Sequence, residues 1–547
     1  MTDPETLRTW RLKGLSRALE ESDETLRARA CARAGLPIEA LRGFRIARQS
    51  LDARRGREQI HFVCQVDLIV PAGLETRAMR RLKKCGKLAP APRPASLRVD
   101  PVAPSAARSR VAVVGAGPGG LFAALILAEN GVQVTLLERG DAIRERGRKL
   151  AAFHRRRRHD RDSNLLFGEG GAGTYSDGKL YTRVDDPLEV LLLEELVAAG
   201  ADADILYDAR AHIGTDRLHR VIPELRRRLE ARGVRFEFGT RLERFSIDEG
   251  PPRRIRSLIT SAGELPCDAL LLSIGHSARD TWSALARQGV QFESKPFQFG
   301  VRVEHPQALI DRARFGSGRE RLLLGAASYN LICKPKGDGP GAHSFCMCPG
   351  GRVVASISEA GELCTNGMSN SRHSSRYANA AIVTTLRPEE FAPYGSGPFA
   401  GVEFQRHFER LCFEAGGGDY TAPAQRVPDF LAGRLSSGAL ESSYLLGTVA
   451  YRIDQLLPER VATALAAALT RFERQIEGFS GPDGLLIGIE SRSSGPVRMP
   501  RDPETRRALG FTNLFPAGEG AGYAGGIMSA AIDGARSAQA LLRFGVL

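Results

Sequence analysis

The chain has 547 residues, of which 42% are hydrophobic and 26% charged, with a net charge of +14. That length exceeds one hydrophobic core, so two or three domains are expected. No apolar run approaches the roughly 18 residues of a membrane span, and nine scattered cysteines argue for reduced thiols rather than a disulfide framework.

The opening MTDPETLRTWRLKGLSRALEE lacks the apolar stretch of an export signal, so a cytoplasmic location is expected. Residues 1–110 hold 23 Lys/Arg against 12 Asp/Glu, which places most of the positive balance at this end. Such a surface suits nucleic acid, an acidic partner or an anionic substrate, or is simply an arginine-rich solvated face. A helix over Glu24–Ala34 and an alternating strand over Ile60–Val70 give a small basic α+β domain at 1–87. Residues 88–109, with Pro90, Pro92, Pro94, Pro101 and Pro104, read as an extended linker.

The next thirty residues, RVAVVGAGPGGLFAALILAENGVQVTLLER, form a complete dinucleotide-binding unit. Val111–Val114 make a buried strand, and Gly115 permits the turn out of it. Gly117 lets the backbone approach a pyrophosphate, and Gly120 lets helix and strand pack closely. Pro118 and Gly119 open a helix whose N–H groups face the phosphates, LFAALILA belongs to its amphipathic packing, and Asn130-Gly131 stop it. A second strand, Val132–Leu137, ends at Glu138 and Arg139, where the acid accepts hydrogen bonds from both ribose hydroxyls. Further on, Leu218–Arg232 is an amphipathic helix, Val234–Phe238 a strand, residues 255–265 antiparallel strands, and Asp268–Gly275 an apolar strand ending in a glycine turn.

This first part of the fold runs over 110–290. A loop-rich span at 291–480 is expected to be an inserted, substrate-facing domain, and the chain returns to the first fold over 481–547. In that return Leu514-Phe515 end a strand, Gly518-Glu519-Gly520 turn, and Gly525-Gly526-Ile527 open a helix over Met528–Leu542. The fingerprint alone does not separate FAD from NAD. A site assembled from the first and last parts of one fold suits the longer FAD. Two further GxGxxG matches, Gly168/Gly170/Gly173 and Gly520/Gly522/Gly525, lack a following strand that ends in an acid, so one Rossmann unit is counted.

Several motifs in fixed order, among them SLDAR (50–54), SNLLFGEGGAGTYSDGKLYTR (163–183), SIGHSARDTW (273–282), KPFQFGVRVEHP (295–306), SFCMCPGG (344–351), TNGMSN (365–370), ESRSSGPVR (490–498) and PAGEGAGYAGGIMSAAIDG (516–534), cover nearly the whole chain. In these the chain resembles the uncharacterised FAD-dependent dehydrogenases of the glutathione-reductase-like flavoprotein superfamily. The resemblance implies an α/β fold: a discontinuous Rossmann-type FAD domain, an inserted domain and a small N-terminal α+β domain. It also implies that Gly275 ends the strand beneath the adenosine, that Gly518-Glu519 hold the ribityl chain and pyrophosphate, and that Gly525, Gly526 and Ile527 bring N–H groups to the pyrimidine end of the flavin. Tyr175 stands where the pattern leads one to expect phenylalanine.

For the chemistry, the loop Gly170-Gly171-Ala172-Gly173 is expected to approach the flavin closely, with Ser176, Asp177, Gly178 and Lys179 beside it. Cys346 and Cys348 either relay electrons to flavin through a strained disulfide, bind metal with Cys333 or Cys364, or are inert; the missing CxxC pairs disfavour metal. His276, Arg279, Glu490 and Arg492 either line a substrate cavity or serve in ion pairs, and HRRRRH (154–159) is a solvated face or a guide for a polyanion. The function read from these residues is FAD-dependent hydride or electron transfer with a small-molecule substrate or a redox partner protein. The alternatives are a flavoprotein acting on RNA through its basic N-terminal domain, and a flavin redox sensor or electron carrier. With one nucleotide unit, no dedicated NAD(P)H domain is expected.

Overall fold

The computed structural model describes residues 6–54, 60–92, 95–248, 250–316, 323–334 and 339–546, so Pro94 of the proline-rich stretch lies outside the described residues. The first unit is built from β1 (Leu7–Arg17), α1 (Asp23–Ala34), β2 (Gly43–Asp52), β3 (His61–Pro71), α2 (Arg77–Lys84) and β4 (Leu88–Pro90). Alternation decides its layers. Trp10 and Leu12 of β1 and Cys64, Val66 and Leu68 of β3 share one face, which Leu26 and Ala30 of α1 and Met79 of α2 cover. The antiparallel order β2-β3-β1-β4 is the βαββαβ arrangement of ferredoxin-like domains. The stretch read as a linker therefore begins with a strand of this sheet.

The opposite face carries Arg11, Arg45 and Arg48, and part of that charge is neutralised in place. Arg11 and Arg45 both pair with the buried Asp67, at 2.8 Å each. Among the described residues that face carries no Phe, Tyr or Trp. The edge strand β2 is covered by the main body: Gln49 N donates to Tyr207 O (2.7 Å) and Ala209 N to Gln49 O (2.8 Å).

The nucleotide fold is a five-stranded parallel sheet in the order Leu514–Pro516, Ala269–Leu272, Arg110–Val114, Gln133–Leu137, Arg235–Glu237. Strand Arg110–Val114 has its chain successor on one side and the much later Ala269–Leu272 on the other. A crevice therefore opens at the strands' C-terminal ends. The fingerprint helix, Pro118–Glu129, is buried from Gly119 to Leu127. Its apolar run is thus not one face of an amphipathic helix, because the sheet lies on one side and the C-terminal helix Ile527–Phe544 on the other. The two helices touch through glycines: a Cβ on Gly534 would stand 2.0 Å from Gly119 O.

The inserted unit is a seven-stranded sheet whose central strands are Tyr377–Leu386, Phe297–Pro306 and Leu485–Glu490, with Ala342–Cys348 towards one edge. Helices Ala400–Ala415 and Glu459–Glu473 pack on it through Phe404, Leu465 and Phe472. Since Leu485–Glu490 is a strand of this sheet, the chain returns to the nucleotide fold after Glu490, later than the expected boundary at 481. Among the described residues no helix is long and apolar enough to cross a membrane.

Gly534→Val places three carbons where backbone already stands. It is expected to cost about 1–3 kcal/mol, as overpacking does, and to release flavin in step with the loss; denaturant midpoints and bound-flavin absorbance measure both.

Candidate functional site

The site begins at the glycine turn. Gly115 has φ +105°, and a Cβ there would lie 2.2 Å from Ser273 O, so neighbouring strands meet backbone to backbone. A Cβ on Gly120 would lie 1.8 Å from Gly115 O. Gly117 caps the fingerprint helix without a side-chain partner and Pro118 fixes its first turn, leaving N–H groups free at the crevice.

Glu138, 5% exposed, does more than was expected of it. Its Oε2 accepts from Ala116 N (2.8 Å), and its Oε1 from Gly140 N and Gly168 N (2.9 Å each). A carboxylate has about four acceptor positions. Three are taken by backbone, so the expectation that it receives both ribose hydroxyls is corrected to one remaining position. Arg139 pairs with Asp162 (2.8 Å) and Asp280 (2.9 Å) and stacks on Phe167.

The glycine-rich loop closes onto this turn. Gly170 N donates to Ala116 O (2.9 Å), a Cβ on Gly171 would come within 3.1 Å of Gly117 Cα, and one on Gly173 would lie 3.2 Å from Ile527 and 3.8 Å from Pro118. The loop thus brings together the N-termini of two helices, the second capped by the exposed Gly525-Gly526. Ala172 packs beside Leu166, Phe167 and Ile274. The preceding 164–169 segment is held by a residue that the sequence reading missed. Arg146 is fully buried and donates to the carbonyls of Asn164 (2.8 Å), Leu165 (2.9 Å) and Glu169 (2.7 Å), while burial lowers its pKa to about 10. The available signal was its place on the buried face of its helix, with Ile143, Leu150 and Phe153.

Across the crevice, Gly275 has φ +71° and open space where a Cβ would be. Beside it His276 Nε2 and Ser277 Oγ are buried without a hydrogen-bond partner, although His276 Nδ1 meets Glu519 Oε2 at 3.3 Å. Gly518 N is held by Asp533 (2.8 Å), itself paired with Arg501 and Arg506. Unpartnered polar atoms on one wall, glycine backbone on the other and helix N-termini at the end form a cradle that fits a dinucleotide with a pyrophosphate.

The polar residues after the loop point elsewhere than expected. Ser176 closes its own turn, accepting from Gly178 N and donating to Gly173 O (2.7 Å). Asp177 is buried against Ser369, His373 (3.4 Å) and Lys179 (3.0 Å); despite burial, Lys179 leads the partners that hold its carboxyl well below the usual range. Lys179 Nζ lies 3.9 Å from Cys346 Sγ and donates to Met347 O. Cys346 sits at φ +44°, a left-handed conformation that costs a side-chain-bearing residue about 1–2 kcal/mol. Glu490 is buried and paired with Arg302 (2.8 Å), which also reaches Cys346 O (2.9 Å) and Asn379 (2.8 Å). Burial raises the Glu490 carboxyl. Cys333 and Cys364 are engaged separately, Cys333 with Lys334 O and Cys364 with Ser491 N.

Arg492 does not line a cavity. It and Arg279 grip Glu409 from two sides (2.5 and 2.9 Å), all three buried, and join Glu362 at 3.4 and 3.1 Å. The two arginines therefore tie the end of the parallel sheet to the inserted unit. Burial, ahead of the neighbouring Glu409, holds the Glu362 carboxyl well above the carboxylate range. The HRRRRH run is not a uniform solvated face either, because Arg157 ends its helix at φ +56° and clamps Asp419 and Leu446 O.

Families described as FAD binding domain, as FAD-dependent protein C-terminal domain-like, and as a domain of unknown function match residues 108–155, 296–493 and 14–69. An uncharacterized protein of Clostridium beijerinckii is 37% identical over 97% of this chain and 98% of its own. Among solved structures, L-amino acid deaminase from Proteus vulgaris is 13% identical, with 82% of this chain and 96% of that one covered and a TM-score of 0.35. Glycine oxidase from Bacillus cereus is 11% identical, with 80% and 97% covered and a TM-score of 0.32. CtdE in complex with FAD is 9% identical, with 79% and 83% covered and a TM-score of 0.30. The FAD-binding match at 108–155 covers the glycine turn, the fingerprint helix and Glu138, and the nucleotide the cradle holds is FAD.

Two outcomes follow from the charges. Glu138→Ala leaves three buried amides unpartnered and is expected to weaken FAD binding ~10-fold or more, since hydrogen bonds to a charged acceptor are worth about 1.5–3 kcal/mol each; titration of the apoprotein with FAD measures it. Glu362 carries a raised pKa in the fold, so its contribution to stability is full in acid and falls as pH rises through that raised value. Glu362→Gln should therefore gain in Tm relative to the parent between pH 6 and pH 9, whereas a constant difference would mean that Glu362 is ionised throughout.

Proposed function

The chain belongs to one family with the uncharacterized Clostridium beijerinckii protein, and from that premise and its FAD-binding match we propose that it is an oxidoreductase of the glutathione-reductase-like superfamily acting on a small molecule or a redox partner protein. FAD, when bound, supplies the hydride or electron transfer. The chain binds the dinucleotide, orients it and sets its electrostatics.

The observation that carries this reading is the convergence at Gly173, where a glycine loop meets the starts of two helices. The first helix directs its free N–H groups to the pyrophosphate. The second, beginning at Ile527, offers N–H groups and the positive end of its dipole to negative charge at the far end of the ligand. Arg146 keeps the loop in place by holding the carbonyls before it, and the Arg279–Glu409–Arg492 cluster fixes the inserted sheet beside the crevice. On this reading the substrate approaches from the side of the inserted unit.

A dedicated pyridine-nucleotide domain is not part of the proposal. The glycines at 168–173 lie in a loop that packs on the fingerprint, and those at 520–525 lie in the turn before the C-terminal helix. Neither belongs to a second strand-helix-strand unit. Anaerobic mixing with NADH or NADPH should bleach the flavin slowly and without saturation. Saturable bleaching within milliseconds at micromolar nucleotide would replace this reading with that of a pyridine-nucleotide-dependent enzyme.

A further inference from the structure

Strands Ala342–Cys348 and Tyr377–Leu386 lose register between Phe345 and Cys348, and the bulge puts Cys346 in a left-handed conformation. Bulges of this kind re-aim a side chain. Here the Cys346 sulfur lies 3.9 Å from the ammonium of Lys179, which the Met347 carbonyl and Asp177 hold in place. Cys348, two residues on, donates from its Sγ to the Cys346 carbonyl (3.4 Å) and lies 3.7 Å from the Arg302 guanidinium. Arg302 reaches this position because residue 367 is glycine: a Cβ there would stand 2.1 Å from its Nη2.

The two sulfurs differ in access. Cys348 and Arg302 are buried, whereas Cys346 is half-buried, Lys179 is 20% exposed at its side chain, and Tyr181 beside them is 51% exposed. An attacking thiol must be reachable and a resolving thiol only needs to reach its neighbour, so access alone orders the pair. The charges agree. The neighbouring Cys348 side chain, ahead of the cations Lys179 and Arg302, lowers the Cys346 thiol against burial and the opposing Asp177. The proximity of Cys346, with burial, raises Cys348. Tyr181, Glu490 and Tyr329 are the further titratable groups that face the pair.

We propose that Cys346 and Cys348 form a thiol–disulfide exchange pair, with Cys346 attacking and Cys348 resolving, whose co-reactant is a low-molecular-weight disulfide, R–S–S–R′. The Cys346 thiolate forms a bond to one sulfur of the co-reactant as the S–S bond breaks, and R′–S⁻ leaves. Cys348 gives its proton to R′–S⁻. The resulting Cys348 thiolate attacks the Cys346 sulfur, the mixed disulfide breaks, and R–S⁻ leaves. The co-reactant gains two electrons and departs as R–S⁻ and R′–SH; the protein pair loses two and becomes a disulfide. Neither the flavin nor its substrate takes part in these steps, so the pair can be tested apart from the flavin reading.

The probe is dithiodipyridine, with Cys85 and Cys333 replaced by serine and bound flavin followed as a sign of folding. Two pyridinethiones per chain are expected, with peptide masses showing a Cys346–Cys348 disulfide. Cys348→Ser should release one and retain a mixed disulfide on Cys346, and Cys346→Ser should react little. Lys179→Gln should slow the reaction ~10-fold at pH 7 and move its rate–pH midpoint upward, with Lys179→Arg restoring both. Alkylation of Cys346 in the unaltered chain provides a reading that needs no variant: a midpoint below the ~8.5 of a free thiol is expected. An ordinary midpoint, a mixed disulfide that forms on Cys348 instead, or a rate indifferent to Lys179 would overturn the proposal.

Discussion

The architecture of the cofactor cradle depends on one buried carboxylate. A charge such as that of Glu138 is costly to bury unless its acceptor positions are filled. Three of them are filled by amides from three places in the chain: the glycine turn, the strand end and the loop at Gly168. Satisfying the charge therefore fixes those segments relative to one another. From Gly168 the loop continues to Gly173 against Ile527, and then through Asp177 and Lys179 into the inserted sheet. Cradle and inserted sheet are in this way referred to the same anchor.

The cradle was legible because its requirements are local. Gly115, Gly117, Gly120 and Glu138 occur at spacings that only a strand, turn, helix and strand can satisfy, and the later glycine turn announces a second helix start. The seven-stranded sheet was not legible. Phe297–Pro306 pairs with Leu485–Glu490, nearly two hundred residues away, and both strands are buried on both faces, so neither shows an alternating pattern. Side-chain roles failed for a different reason. In a chain with 77 Lys and Arg, a buried arginine reads like a surface one: Arg302 had no separate signature, and Arg146 had only its place on the apolar face of its helix. Glu490 and Arg492, neighbours on paper, face different partners because two positions along a strand and its exit place them in separate clusters.

Those clusters divide the labour of the inserted unit. The Arg279–Glu409–Arg492 group joins it to the nucleotide fold through bidentate contacts that tolerate little displacement. The Lys179–Arg302–Glu490 group surrounds the two thiols instead, and its accessible member faces outward. One network is closed and serves position; the other has an opening.

The parallel sheet and its crevice are made from segments about four hundred residues apart, since Leu514–Pro516 pairs with Ala269–Leu272 and the helix after it packs on the fingerprint helix. At ribosomal rates of about 5–20 residues per second, that separation is on the order of tens of seconds. During this interval the emerging chain holds the first half of the cradle with the apolar flank of Pro118–Glu129 uncovered. The nascent protein therefore passes through a stage that is both incompetent to retain its cofactor and prone to associate with other chains, and completion of the C-terminal helix ends both conditions together.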